Sequence, residues 1–487
     1  MKVSKFDKKL RGFDKTKFEN QDKFLFTSFL VSSIFTIFLI SLSFLRIYSI
    51  TFGTTIVTLC SLILLNTLRN GRSNNHQSML TSGSFWFLIA FAILFIITPI
   101  FLISDPENLP IVFAERDWKK NFWKAQLFAA IAIQSVTSGH LLRASREVAL
   151  SDSQAKVLIT SQKKYQYSAL PSLLFSVIAL IAFLSYLIGT GDPITALMGT
   201  RRQKGIFEIK SGGYAADSYL IVVGILTFWL VHFRIKRNVL RTRLIIFALV
   251  LLMIPSAVQG NRSYFIYFAV VVLIVYLSTG LKLKRTHLVA ALLIFPLLIN
   301  LPRDFRENQS LRSSVNIQKY YSLESVRTLF SVGDTSMAPT FSILLGEMGN
   351  NLDFVYGASY LKALAKPIPR SLFTEKPIEF DNTLNEKIFP SYSRFVKFSF
   401  SGLSEPFVNF GLTGIVFFFG FIGYISRYFQ RNSIFVNENA ILVNAWVAGF
   451  MFIVARGNLT TDIHRLLFPL IATLFVIKTS TRIKKVK

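Results

Sequence analysis

Long apolar runs constrain this chain more than any other feature of its sequence. They recur from one end to the other, and each is close to the roughly 20 residues that a helix needs to cross a bilayer. Backbone groups in lipid must be hydrogen-bonded internally, so such runs predict helices. The chain has 487 residues, of which 52% are hydrophobic and 16% charged, and this composition excludes an ordinary soluble protein. We predict an all-α polytopic membrane protein with about twelve transmembrane helices.

The predicted spans divide the chain into three parts. Residues 1–300 hold a cytoplasmic N-terminal tail and nine helices, residues 301–404 form a large periplasmic loop domain with amphipathic helices, and residues 405–487 hold three C-terminal helices. The spans cover residues 24–45, 47–68, 85–103, 122–142, 168–188, 218–233, 244–258, 263–279, 287–299, 405–429, 440–455 and 466–477.

The charge pattern sets the predicted orientation. The net charge is +28, which raises the question of a nucleic-acid partner. The basic residues gather in alternate connections, however, notably in residues 1–23 and 234–243. This is the distribution that the positive-inside rule gives cytoplasmic segments. We therefore expect no nucleic-acid partner and both termini in the cytoplasm.

Sequence motifs for cofactors are absent. Cys60 is the only cysteine and lies in an apolar run, which excludes an intrachain disulfide and a thiolate metal site. The sequence contains no H-E-x-x-H motif, no phosphate-binding Walker loop and no dinucleotide fingerprint. We expect neither a metal ion nor another cofactor.

Arginine and lysine residues of the predicted external segments are candidates for binding a phosphorylated substrate. The planar guanidinium of arginine binds phosphate oxygens bidentately, and several such groups can hold a pyrophosphate. The alternative is a solvated loop surface. Apolar stretches in the loop domain, F-S-I-L-L (341–345) and F-V-Y (354–356), indicate that it folds onto the membrane surface. The candidates are Arg201, Arg202, Arg303, Arg306, Arg370 and Lys376.

Two predicted hairpins place further arginines near the outer membrane surface. The predicted helix 244–258 would be about 22 Å long, and 466–477 is shorter still, against about 30 Å of hydrocarbon. The turns with Arg262 and Arg456 would then lie below the surface, where a charge needs a water-filled cavity or an anionic partner. Alternatively, the helices extend into the polar segments and both arginines are interfacial. His464 and Arg465 belong to the second of these turns.

The start of the tenth span offers the best-placed carboxylate. Ser404 is a candidate N-cap and Pro406 suits the first helical turn. Glu405 and Asn409 are four residues apart and therefore share one helical face. We predict that Glu405 is a general base, with Asp462 and His464 as reserve candidates; alternatively, Glu405 orients a catalytic arginine.

Five short motifs in the C-terminal half carry a family resemblance. The motifs are G-N-R-S (260–263), Y-G-A-S-Y-L (356–361), K-P-I-P-R-S-L-F-T-E-K-P (366–377), S-E-P-F-V-N-F-G-L-T-G (404–414) and A-R-G (455–457). With these motifs in this order, the chain resembles the Wzy-type O-antigen or oligosaccharide repeat-unit polymerases of bacterial inner membranes. The first half is similar to them only in being polytopic.

The resemblance implies metal-independent glycosyl transfer at the periplasmic face of the inner membrane, in a GT-C-like fold. The donor would be a growing glycan on undecaprenyl pyrophosphate, and the acceptor a single lipid-linked repeat unit. Membrane lipid and a chain-length regulator protein are the other partners it implies. The product would be O-antigen or a related surface polysaccharide.

Two other functions fit the same composition. A flippase for lipid-linked sugars would place polar residues along the bundle interior at mid-depth, whereas this chain concentrates them at one face. An O-antigen ligase also has a large external loop, but the motifs at 366–377 and 404–411 point toward the polymerases.

Overall fold

The computed structural model describes most of the C-terminal half and part of the N-terminal half. Predicted spans one, two and nine lie outside the described residues. Those residues are 80–99, 117–160, 165–167, 169–189, 218–258, 262–279, 286, 322, 337–364, 380–391, 398–434 and 438–483.

The described part is mostly helical, as predicted, with one antiparallel pair of three-residue strands. The first helix passes into a π-helical turn at Ile93–Ile97. In chain order the helices are α1 Gly83–Ala92, α2 Phe122–Thr160, α3 Ala169–Gly189, α4 Tyr219–Ile235, α5 Val239–Val258, α6 Arg262–Ser278, α7 Met337–Glu347, α8 Ala358–Leu364, α9 Phe380–Ile388, α10 Ser404–Ile434, α11 Glu438–Arg456 and α12 Leu459–Ser480; the strands are β1 Tyr165–Tyr167 and β2 Thr481–Ile483.

Three helical segments in the described residues are long and apolar enough to cross a membrane: Phe122–Arg143, Ser404–Gln430 and Glu438–Arg456. Four shorter apolar segments accompany them, at Gly83–Ile97, Ala169–Ser185, Tyr219–Ile235 and Ile266–Ser278. The number of twelve spans and the periplasmic location of the loop domain stay predictions.

Several helices are longer than the hydropathy pattern predicted. Helix α2 continues to Thr160, where a basic loop was expected after Leu142, because the segment is rich in residues with high helix propensity. Helix α5 has 20 residues and α12 has 22, and 20 residues already span about 30 Å. The premise that these two helices are too short to cross the hydrocarbon core is therefore wrong, and the depth of Arg262 and Arg456 in a membrane stays a prediction. The polar ends of the helices extend the apolar runs, which was the alternative.

One end of the helix bundle, which we call the basic end, is defined by contacts between α4, α6 and α11. His232 Nδ1 near the end of α4 lies 3.2 Å from Glu438 Oε2 at the start of α11. Arg234 donates a hydrogen bond from Nε to Thr279 Oγ1, just after α6, at 3.4 Å. Helices α4 and α6 therefore end where α11 begins.

We call the opposite end of the bundle the site end, and the directions of the helices decide which residues belong to it. Because α6 and α11 run antiparallel, Arg262 at the start of α6 and Arg456 at the end of α11 belong to the same end. Helix α12 starts there too, two residues after α11 ends. The hydroxyl of Tyr267 donates to the carbonyl oxygen of Arg465 at 3.1 Å, which ties α6 to the first turns of α12.

Close packing of α10 on α2 forms the centre of the fold. A Cβ at Gly139 would overlap the carbonyl of Gly420, and a Cβ at Gly423 would overlap the carbonyl of Val136. Small residues let two helix backbones approach in this way. Gly139 and Gly423 are thus the residues that allow this close approach, and the packing fixes α10, which carries the site at its first turn.

Candidate functional site

The site is built around the first turn of α10, on which a turn of the loop domain is seated. The backbone N–H of Val355 donates to the carbonyl of Val408 at 3.0 Å. The N–H of Gly357 donates to Asn409 Oδ1 at 2.8 Å. The motif Y-G-A-S-Y-L thus packs directly on the motif S-E-P-F-V-N-F-G, although about 50 residues separate them in the sequence.

Asn409 and Ser359 extend this contact into a buried network with Glu405. Asn409 Nδ2 donates to Ser359 Oγ at 2.7 Å and to the backbone carbonyl of Glu405, also at 2.7 Å. Ser359 Oγ in turn donates to Glu405 Oε1 at 2.9 Å. Glu405 and Asn409 therefore do share one helical face, as their spacing predicted.

The second oxygen of Glu405 reaches the turn between α11 and α12. The backbone N–H of Thr460 donates to Glu405 Oε2 at 3.1 Å. Thr460 is the second residue of α12, and N–H groups of a first helical turn have no partner within the helix. The carboxylate thus caps α12 from a distant part of the chain, at the end of the helix dipole that favours a negative charge. Glu405 is only 1% exposed.

The turn itself is short and tightly packed. Only Gly457 and Asn458 separate α11 from α12, so most of the predicted external loop is helix. A Cβ at Gly457 would overlap the carboxylate of Asp462, so a larger residue here would displace that side chain. Asp462 Oδ1 forms an ion pair with Arg465 Nη1 at 2.9 Å, and Asn458 Nδ2 donates to Asp381 Oδ1 of α9.

Helix α10 is broken just after this network. Phe410 and Gly411 leave the helical conformation, and Gly411 adopts a positive φ of 62°, a region that glycine enters without strain. The ring of Tyr360 on α8 stacks on Phe410 and on Phe418, with both centroid distances 6.4 Å. Burial, followed by the nearby Glu405 carboxylate, raises the pKa of Tyr360, so its hydroxyl stays a proton donor.

The structure brings six of the predicted site residues to the site end. Glu405 and Asn409 are buried in the network, Arg456 is half-buried at the end of α11, and His464 and Arg465 lie in the first turns of α12. Arg262 begins α6 at the same end. The remaining candidates, Arg201, Arg202, Arg303, Arg306, Arg370 and Lys376, lie outside the described residues.

Sequence reasoning missed four residues of the site. Ser359 and Tyr360 belong to the Y-G-A-S-Y-L motif, which was noted only as a resemblance, and Thr460 and Asp381 carried no local signal. The expectation that both apolar stretches lie on the membrane surface is wrong for F-S-I-L-L and stays a prediction for F-V-Y. The F-S-I-L-L stretch packs into the protein core, with Phe341 and Leu344 fully buried, whereas Phe354, Val355 and Tyr356 of F-V-Y are exposed.

The arrangement combines a half-buried cation, a buried carboxylate and a hydroxyl donor at one end of a helix bundle. Within the described ranges, no group of three or more His, Cys, Asp or Glu residues comes together to hold a metal ion. Arginine side chains are therefore the described groups at this end that can bind an anion bidentately. Comparisons with protein-family models, with curated proteins and with solved structures find no match to this chain.

Proposed function

We propose that this chain is a multi-pass inner-membrane glycosyltransferase that polymerises undecaprenyl-pyrophosphate-linked oligosaccharide repeat units. The site end faces the periplasm in this proposal, and the product is O-antigen or a related surface polysaccharide. The glycan on one lipid pyrophosphate is transferred to the non-reducing end of the next lipid-linked repeat unit. A hydroxyl of the acceptor sugar forms the new bond, and lipid pyrophosphate leaves.

The observation that carries the proposal is the convergence of three of the motifs at one end of the bundle. The motifs 356–361 and 404–414 are far apart in the sequence, yet Gly357 and Ser359 donate hydrogen bonds to Asn409 and Glu405. Thr460, three residues after the A-R-G motif (455–457), also donates to Glu405. A fourth motif, G-N-R-S, leads into α6 at the same end. Segments that serve only membrane spanning have no reason to gather their polar residues in this way.

The arginines supply the anion-binding part of the proposed reaction. A pyrophosphate leaving group develops negative charge, and fixed guanidinium groups stabilise that charge without a metal ion. Arg456 and Arg262 are the proposed catalytic arginines, because each stands at a helix end on the site end of the bundle. Arg465 is engaged with Asp462, and we assign it to positioning.

Two roles are open to Glu405 in this mechanism. As a general base it would take the proton of the acceptor hydroxyl, which is typically worth about 10² to 10⁴ in rate. As a positioning residue it would hold the turn that follows Arg456. Its hydrogen bonds favour positioning, because one oxygen accepts from Ser359 and the other from Thr460. Asp462 and His464 are the alternative proton acceptors.

Deletion of the gene followed by gel analysis of the surface glycan tests the proposal. Loss of a polymerase leaves core carrying one repeat unit. Loss of a flippase or of an O-antigen ligase leaves core without any repeat unit, and that pattern would refute the polymerase function. Complementation with the unaltered chain must restore the ladder of long products.

Purified protein in lipid nanodiscs gives a direct second test. Incubation with a lipid-linked repeat unit alone should produce longer lipid-linked glycans in the presence of a chelator, since the proposed mechanism uses no metal ion. Arg456→Ala is the matched inactive control. No chain growth by the unaltered protein would count against the proposal.

A further inference from the structure

An apolar patch stands exposed beside the Glu405 network, and the proposed chemistry does not use its exposed side chains. It comprises Phe354, Val355 and Tyr356 of the loop-domain turn, with Leu361 of α8 and Phe410 of α10. We call it the site-end patch. Tyr356 is 77% exposed, Leu361 68% and Phe410 48%.

The turn that carries the patch is held in one conformation. Tyr356 has a positive φ of 45°, which is strained for a bulky residue. Such strain persists only where surrounding contacts enforce it, and it is typical of functional sites. Here the backbone N–H groups of Val355 and Gly357 are bound to Val408 and to Asn409. The strained turn therefore lowers the stability of the fold and holds the side chain of Tyr356 outward.

The patch continues directly into the exposed face of α10. Beyond the break at Gly411, the exposed apolar side chains of α10 are Leu412, Val416, Phe417 and Phe421. They belong to Ser404–Gln430, one of the segments long and apolar enough to span a membrane. The other end of this face carries Tyr428, which is 40% exposed. From Leu412 to Tyr428 the helix rises about 24 Å.

This rise of about 24 Å covers most of the distance between the two boundaries of the hydrocarbon core. Tyrosine and tryptophan are enriched where hydrocarbon meets the headgroups, at both ends of a span, and the hydrocarbon core is about 30 Å thick. Tyr356 and Phe410 lie at one end of the apolar face and Tyr428 at the other. Arg143 stacks on the Tyr428 ring at 4.9 Å, as expected for a cation at the headgroup level.

We propose that the site-end patch is a membrane anchor, seated at the headgroup–hydrocarbon boundary of the leaflet on the site side. Its partner is the bilayer lipid itself. Insertion of the patch would hold α8 and the turn 354–357 level with the membrane surface, and hydrogen bonds from these elements to Glu405 and Asn409 would fix the depth of the site. Among the described residues next to the patch in sequence, Asp353 and Lys362 carry one charge of each sign.

The inference rests on the membrane placement in the proposed function, not on its chemistry. It is tested with nitroxide labels on single cysteines, in a Cys60→Ser background, with the full chain in phosphatidylcholine–phosphatidylglycerol vesicles. Collision rates with oxygen, which concentrates in lipid, are compared with those of a water-soluble nickel chelate. Labels go on Tyr356→Cys and, in case that strained position misfolds, on Leu361→Cys. Phe417→Cys is the lipid control and Ser391→Cys, exposed near α9, the water control.

The expected result is that labels at 356 and 361 collide more often with oxygen than with nickel, as at 417, while the ratio is reversed at 391. Nickel access at 356 and 361 equal to that at 391 would overturn the anchor and leave the membrane placement intact. Shielding from both reagents would also overturn it, since the patch would then be covered by protein. A water-like ratio at 417 as well would refute the membrane placement on which the inference rests.

Discussion

Replacing the carboxylate of Glu405 by an amide is the perturbation that best separates the two roles open to this residue. Glu405→Gln keeps the shape of the side chain and removes its charge. One amide oxygen can still accept from the Thr460 N–H. The amide nitrogen then faces Ser359 Oγ, which already accepts a hydrogen bond from Asn409. The Ser359 hydroxyl hydrogen loses its acceptor.

The cost of this change can be worked from those contacts. A hydrogen bond to a charged group contributes about 1.5–3 kcal/mol when buried, and Glu405→Gln removes one such bond and weakens a second. We expect the free energy of unfolding to fall by about 2–4 kcal/mol. Ser359→Ala removes the same donor from the other side, so the double variant should cost less than the sum of the two single changes. The expected coupling is about 0.5–3 kcal/mol.

Equilibrium unfolding in mixed detergent micelles measures these energies, and chain extension in nanodiscs measures activity for the same preparations. For a positioning residue, stability and activity fall together in Glu405→Gln, and Ser359→Ala shows a smaller loss of both. Unchanged stability with abolished chain extension would refute this reasoning. That outcome would instead support the general-base role, because only the chemistry would have needed the charge.

Three further predictions test the topology and the turn after α11. Reporter fusions at Ser314 and Glu438 should give periplasmic and cytoplasmic signals; the opposite pattern would invalidate the predicted orientation. Arg456→Ala should abolish chain extension while the protein still accumulates in the membrane. Arg456→Lys should restore little activity, because an ammonium lacks the bidentate fork of the guanidinium. Full activity of the lysine variant would exclude a pyrophosphate clamp. Gly457→Ala should strongly reduce activity, because the added Cβ overlaps the Asp462 carboxylate of α12. Gly420→Ala should be tolerated, because its Cβ would lie 3.7 Å from the nearest atom.

Hydropathy predicted the existence of the helices well and their ends poorly. Predicted segments 218–233 and 263–279 agree closely with α4 and α6. Segments 244–258 and 466–477 were too short, because a hydropathy window ends where charged residues begin. A helix does not end there, since long polar side chains extend into solvent while the backbone stays hydrogen-bonded. How far Arg456 lies from the end of the apolar run depends on this difference between the hydropathy segment and the helix.

Local signals were also enough to nominate the residues at the start of α10. The spacing of Glu405 and Asn409 places them on one face of any helix that forms there. Between 301 and 379 the structure describes residues 322 and 337–364, which contain no arginine. The interpretation of those arginines as pyrophosphate ligands therefore still rests on composition and resemblance.

By itself, the sequence determined that this chain is helical and highly apolar, since one apolar run after another leaves helices as the way to satisfy the backbone. Only the tertiary structure decided what Glu405 touches. Its partners, Ser359 and Thr460, are 46 and 55 residues away. Helical and strand periodicities do not relate residues that are so far apart in the sequence. Hydrogen bonds over such separations depend on how α10, α11 and the loop domain pack together, and that packing is fixed by the close approach of helix backbones at small residues.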